Sequence, residues 1–140
     1  MKIAVCGSMA FAQEMIDVKD KLEESDHVVF IPCEADMYVN GQIDVKNIGG
    51  SEGAKRKIAH DLIRKHCELI SGSDAILVLN YEKKGIKNYI GGNSFLELGY
   101  AHILGKKIFL MNDIPEIELI QQEIEAVQPI VIHGDLDLIR

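Results

Sequence analysis

The residues best suited to chemistry fall in one stretch, Ile90-Gly91-Gly92-Asn93-Ser94-Phe95-Leu96-Glu97-Leu98-Gly99-Tyr100-Ala101. Two glycines make a loop that a ligand can approach closely, and Asn93 or Ser94 can cap the helix that follows. That helix is apolar nearly all round, so it is expected to be largely buried. Glu97 is its only acid, one turn in, between Leu96 and Leu98. A carboxylate there is costly unless it meets a polar cavity or a partner. The helix N-terminus favours its charge, but only modestly. A first-turn glutamate facing solvent is the plain alternative; the catalytic reading of Glu97 is preferred.

Other reactive side chains are scattered. His66 lies on a helix leading into a strand, where a neutral imidazole could donate to or accept from a ligand, or be a satisfied structural histidine. His27, His60, His102 and His133 read as surface or turn residues. No two histidines have the spacing of a metal site, so no metal is expected. The three cysteines have no CxxC spacing, which makes disulfide frameworks and zinc sites poor readings. Cys6 and Cys67 sit in apolar contexts and read as core, whereas Cys33 follows a strand and could join a site. Tyr81 and Tyr89 could supply a proton or stack on a base, or be ordinary loop aromatics. Gly7-Ser8-Met9-Ala10-Phe11-Ala12 is not GxGxxG, and no GxxxxGK[ST] occurs, so dinucleotide and P-loop sites are weak readings and no cofactor is expected. A phosphoacceptor receiver domain needs acids where this chain has Gly7-Ser8.

Strand and helix patterns alternate along the chain. Apolar runs at Lys2–Cys6, Val28–Ile31, Ala75–Leu79, Lys107–Met111 and Ile130–Ile132 read as strands. Helical spacing marks Met9–Glu24, one helix from Ala54 to Ile70, Phe95–Leu104, and a helix opened by Pro115 and carrying Ile117 to Val127. Continuous apolar strands separated by helices imply an α/β fold: a three-layer, doubly wound (flavodoxin-like) five-stranded parallel sheet, in the order 2-1-3-4-5. Ligands of such sheets bind beyond the carboxyl ends of the strands where the order reverses, here the turns after Cys6 and Leu79. Cys33–Ser51 and Asn80–Gly92 carry no convincing helix or strand, and both read as lids at that edge.

At 140 residues the chain is long enough for one domain with a substantial core. Its 47% hydrophobic content agrees. No apolar run reaches the ~18 residues of a membrane span, and the first residues lack a signal-peptide pattern, so a cytoplasmic protein without a membrane partner is expected. The net charge of −7 argues against nucleic acid as a partner. Lys55-Arg56-Lys57 and Arg64-Lys65 share their helix with Asp61 and Glu68, which reads as a solvated face.

Gly7-Ser8 after the first strand, Ser73-Asp74 opening the third, and Glu97-Leu98-Gly99-Tyr100-Ala101 with Gly105-Lys106-Lys107 resemble the nucleoside 2-deoxyribosyltransferase superfamily, which includes the nucleoside 5′-monophosphate N-glycosidases. The resemblance spans residues 1–140 in element order and implies a single such domain. It implies N-glycosidic cleavage or transfer on a nucleoside or nucleoside 5′-monophosphate, with Glu97 as the nucleophile of a retaining displacement. The turn Gly7, Ser8 and Met9 matches the segment that approaches sugar or phosphate. Asn80 matches a position where transferases often carry an acid contacting base or sugar, with Tyr81 beside it. Gly92, Asn93 and Ser94 match the positions ahead of the nucleophile, and His66 stands where the monophosphate hydrolases tend to have an aspartate. The aspartate usual six residues before the glutamate is Gly91 here, which leaves the general acid unassigned. That departure keeps open a non-catalytic domain sensing a nucleotide or nucleotide sugar. Gly91-Gly92 before Glu97 is also similar to the GGxGTxxE loop of phosphoribohydrolases, with the glutamate one residue out of register. Members of the superfamily form dimers or larger assemblies, so a homodimer or higher homo-oligomer is expected.

Overall fold

Alternation in the first strand sets the layers of the molecule. The computed structural model describes residues 1–44 and 50–140, excepting the side chains of residues 50–52. In β1 (Lys2–Gly7), Ile3 and Val5 point to one side of the sheet, and Ala4 and Cys6 to the other. β2 (Val28–Phe30), β3 (Ala75–Leu79), β4 (Lys107–Leu110) and β5 (Ile130–Val131) complete an all-parallel sheet in the order β2-β1-β3-β4-β5. The expected architecture and strand order are those observed. β3 is buried along its whole length, as a central parallel strand requires.

On the Ile3/Val5 side, α1 (Ala12–Glu24) lays Met15, Val18 and Leu22 against Leu77, Leu79 and Phe109. On the Ala4/Cys6 side, three helices meet the sheet: α4 (Leu62–Ser71) through Ile70, α5 (Gly92–Ile103) through Leu98 and Ala101, and α6 (Gln121–Ala126) through Ile124. Cys6 therefore shares its face of the sheet with α4 and α5. No helix among the described residues is long and apolar enough to cross a membrane.

Four expectations are corrected. The helix expected over Ala54–Ile70 is two, α3 (Gly50–Ala59) and α4, broken where Asp61 takes a left-handed conformation at φ +49°. Ile58 had extended the apolar stripe, yet it is 80% exposed and packs on no core. The Cys33–Ser51 segment contains a short helix, α2 (Ala35–Val39), and the start of α3; its residues 45–49 lie outside the described ones. Pro115 is buried in irregular chain rather than opening a helix, and α6 starts later, after a turn whose Ile117 carbonyl accepts from Ile120 and Gln121. Finally, α5 is buried on one face only; Leu96, Tyr100 and Ile103 face outward.

Gly7 joins the sheet to the site. It sits at φ +156°, and a Cβ there would lie 3.1 Å from the Leu79 carbonyl oxygen and 3.2 Å from Met15 Cε. Gly7→Ala should cost about 2 kcal/mol through strain and overpacking. Urea denaturation checks this as a lower midpoint at unchanged slope; an unchanged midpoint would show that β1 and β3 can spread at this point.

Candidate functional site

At the carboxyl ends of β1 and β3, where the strand order reverses, lies a cavity of about 760 Å³. That is the size of a small-molecule site. The turn after β1 contributes Gly7, Ser8 and Met9; the segment after β2 contributes Cys33, Glu34 and Tyr38. From the loop after β3 come Lys83, Lys84 and Tyr89, and from the start of α5 Gly92, Asn93, Ser94 and Glu97. The two segments read as lids thus both reach the cavity.

Glu97 lines the cavity at only 3% exposure, on a helix whose Leu98 and Ala101 pack into the core. Asn93, one turn earlier, donates through Nδ2 to Glu97 Oε1 at 2.9 Å. Burial pushes the Glu97 carboxyl up to about 7, against the smaller opposing pull of Cys6, Lys57 and Asn93. Both protonation states are therefore populated near neutrality. Asn93 and Ser94 do not cap α5, whose first residue follows Gly91 without a side-chain cap. Asn93 serves the carboxylate instead, and Ser94 is buried in the wall.

His66 reaches the cavity from α4, buried, with Nε2 3.6 Å from Cys6 Sγ. Burial holds its pKa down to about 4, a backbone contact with Val5 countering weakly, so the ring is neutral at physiological pH. Its Nδ1 is buried with no hydrogen-bond partner among the described residues. Cys6 lies beneath these two groups, fully buried, and burial with the Glu97 charge pushes its thiol well above the ordinary range. Cys6, His66 and Glu97 are the described residues that could hold a metal ion, their ligating atoms all within 4.8 Å of one another. Cys67, read as core, is only half-buried.

Ser8 Oγ accepts from the Ala10 backbone N–H at 3.2 Å, capping the 3-10 turn Met9–Phe11, and from Lys83 Nζ at 2.7 Å. Lys83 also stands over the Tyr89 ring, 5.1 Å from its centre. A Cβ at Gly91 would lie 3.1 Å from the Tyr89 hydroxyl and 3.2 Å from its ring, so a larger residue there would require Tyr89 to shift.

Two expected site residues stand elsewhere. Asn80 does not line the cavity; wholly buried, it donates to the carbonyls of Asn112 and Asp113 and accepts from the Asn112 N–H. Tyr81 packs edge-on against Phe11, at 5.4 Å between ring centres, outside the cavity lining. Conversely, Arg56, Lys57 and Lys65 line the cavity, although their charge runs read as a solvated face. Arg56 is clamped by Glu34, with Nη2 donating to Oε1 at 2.7 Å and Nε to Oε2 at 3.3 Å, which ties α3 to the segment after β2. In a chain of net charge −7, five cations beside three carboxylates, Glu34, Glu68 and Glu97, make the cavity unusually basic.

No family model matches the chain, and no curated protein matches its sequence. Solved structures do match. A 2-deoxyribosyltransferase from Bacillus psychrosaccharolyticus aligns with a TM-score of 0.51 at 19% identity, over 79% of this chain and 71% of its own. The CMP N-glycosidase of Clostridium botulinum aligns at 0.52 with 14% identity, over 94% and 88%. A 2-deoxyribosyltransferase of Leishmania mexicana aligns at 0.52 with 22% identity, over 84% and 69%. The chain shares the fold of these proteins.

Proposed function

We propose that residues 1–140 form one nucleoside 2-deoxyribosyltransferase-like domain, a cytoplasmic enzyme that cleaves or transfers the N-glycosidic bond of a nucleoside or nucleoside 5′-monophosphate. The observation that carries the reading is the buried Glu97 carboxylate facing a small-molecule cavity at the switch point of the sheet. The shared fold with two deoxyribosyltransferases and a CMP N-glycosidase supports it.

In this reading a Glu97 oxygen bonds the anomeric carbon as the bond to the base breaks, its electron pair leaving on the base, which takes up a proton. Water or a second base then displaces Glu97, and two inversions give net retention. Asn93 fixes the attacking carboxylate. The surplus of cations lining the cavity favours the 5′-monophosphate over the free nucleoside, with Lys83 beside the Ser8 turn as the natural phosphate contact.

A panel of nucleosides and their monophosphates, followed by chromatography of released base and by intact-protein mass, tests the proposal. Turnover with a glycosyl adduct on Glu97 supports it. Tight binding without turnover across the panel instead makes the domain a nucleotide sensor, the reading that the loss of the aspartate at Gly91 favours.

The same reading makes the chain a homodimer or larger homo-oligomer. Leu96, Tyr100 and Ile103 form an exposed apolar stripe on α5, with Ile103 82% exposed. Leu96→Glu combined with Ile103→Glu should weaken self-association at least about tenfold, read as a fall to monomer mass in light scattering. A wild-type chain already monomeric at high concentration would remove this part of the reading.

A further inference from the structure

Three elements that are far apart in sequence bring a thiol, an imidazole and a carboxylate together on one face of the sheet. The geometry points to a transition-metal site at Cys6, His66 and Glu97, suited to Zn²⁺ and able to silence the carboxylate it binds. Cys6 Sγ and His66 Nε2 are 3.6 Å apart. Zinc bonds of about 2.3 Å to sulfur and about 2.05 Å to nitrogen, at a tetrahedral angle, separate the two donors by about that distance. One Glu97 oxygen lies within 4.8 Å of both, so a small side-chain rotation completes a three-ligand set.

Charge balance agrees. Thiolate, carboxylate and neutral imidazole sum to −2 and are neutralised by a divalent ion, which suits a site where all three residues are buried. The metal would take His66 as the neutral imidazole. The Cys6 thiol would release its proton to solvent as the metal takes that place. Asn93 holds Glu97 Oε1, the kind of outer partner that orients a carboxylate ligand. Cys6 lies under the cavity floor while His66 and Glu97 line it, so the remaining coordination position would face the cavity and take water.

Metal binding does not depend on the proposed reaction; inhibition by metal does, because it requires Glu97 to be the nucleophile. The test uses the full chain freed of metal by a chelator. Calorimetry with Zn²⁺ should show one ion per chain. Co²⁺ should give a thiolate-to-cobalt charge-transfer band with the strong visible absorption of a tetrahedral ion. That band should persist in Cys33→Ser/Cys67→Ser, in which Cys6 is the sole thiol, and Cys6→Ser or His66→Gln should each weaken Zn²⁺ at least about tenfold. Absence of the band in the single-thiol chain overturns the site. So does wild-type Zn²⁺ affinity in either Cys6→Ser or His66→Gln. The single-thiol chain decides the matter if those two variants fail to fold. With base release established, stoichiometric Zn²⁺ should lower it at least tenfold, reversibly by chelator. An active enzyme that binds no Zn²⁺ defeats only the metal site, and a metal-binding chain without turnover defeats only the proposed reaction.

Discussion

Glu97→Gln is expected to lower base release by at least about 10⁴-fold while leaving the fold intact, the loss typical of removing a nucleophile. The amide keeps the shape of the side chain and can still pair with Asn93, but it cannot form the ester. Stability should move the other way. A carboxyl whose folded pKa is raised contributes stability that is complete below its ordinary value of 4.5 and is lost as pH rises through about 7. Above that pH the wild type carries the full cost of a desolvated charge. That cost reaches up to about 3 kcal/mol, since each tenfold change in proton affinity is worth about 1.4 kcal/mol. Glutamine escapes it. With chelator present, Glu97→Gln should therefore melt higher than wild type at pH 8, and the difference should shrink towards pH 5. A glutamate whose ionised form is stabilised by its surroundings predicts the reverse, a variant less stable than wild type at pH 8. Full activity in Glu97→Gln would end the proposed mechanism whatever the melting curves show.

The stability cost falls on a group whose surroundings are otherwise economical. Asn93 and Glu97 stand one turn apart on α5, the spacing at which helical side chains meet. The sheet supplies Cys6 and Gly7 from neighbouring positions of β1, one directed towards α4 and α5 and the other a bare backbone beside Leu79. A site built on a strand end and a helix start is held by the core rather than by loops, which favours precise positioning.

Much of this was legible in the residues. The five strands announced themselves because parallel strands buried on both faces have no reason to alternate polar and apolar residues, and Ala75–Leu79 is the clearest case. Strand order followed from handedness, and the cavity from the switch point. Harder to read was anything set by one residue's tertiary surroundings. Ile58 and Leu96 are apolar and face outward, so periodicity lengthened one helix and buried all of another. Arg56, Lys57 and Lys65 looked like a solvated run because sequence cannot show that α3 and α4 meet at Asp61 with these side chains turned to the cavity. Cys6 looked like core and is core, but its neighbours His66 and Glu97 come from positions 60 and 91 residues away, beyond any test of local spacing.

Asn80→Asp should destabilise the chain by about 3–5 kcal/mol at pH 8, even though an acid at this position would look like a return to the transferase pattern. Asn80 follows β3 and holds β4 to it: Nδ2 donates to the Asn112 carbonyl at 3.1 Å and the Asp113 carbonyl at 2.9 Å, and Oδ1 accepts from the Asn112 N–H at 2.8 Å. Aspartate keeps the acceptor but turns a second oxygen, with no hydrogen to offer, onto two carbonyl oxygens. The site is wholly buried, so a charge there is costly. Protonation would restore one donor and raises the folded pKa of the new carboxyl above its unfolded value of about 3.9. The sign follows: the variant is least impaired below about pH 4, loses stability as pH rises towards the folded pKa, and stays at its lowest above it. Denaturant midpoints at pH 5 and pH 8 should therefore separate for the variant by more than for wild type. An Asn80→Asp chain as stable as wild type at pH 8 would mean that the β3–β4 clamp is dispensable, and would make position 80 a candidate ligand contact again.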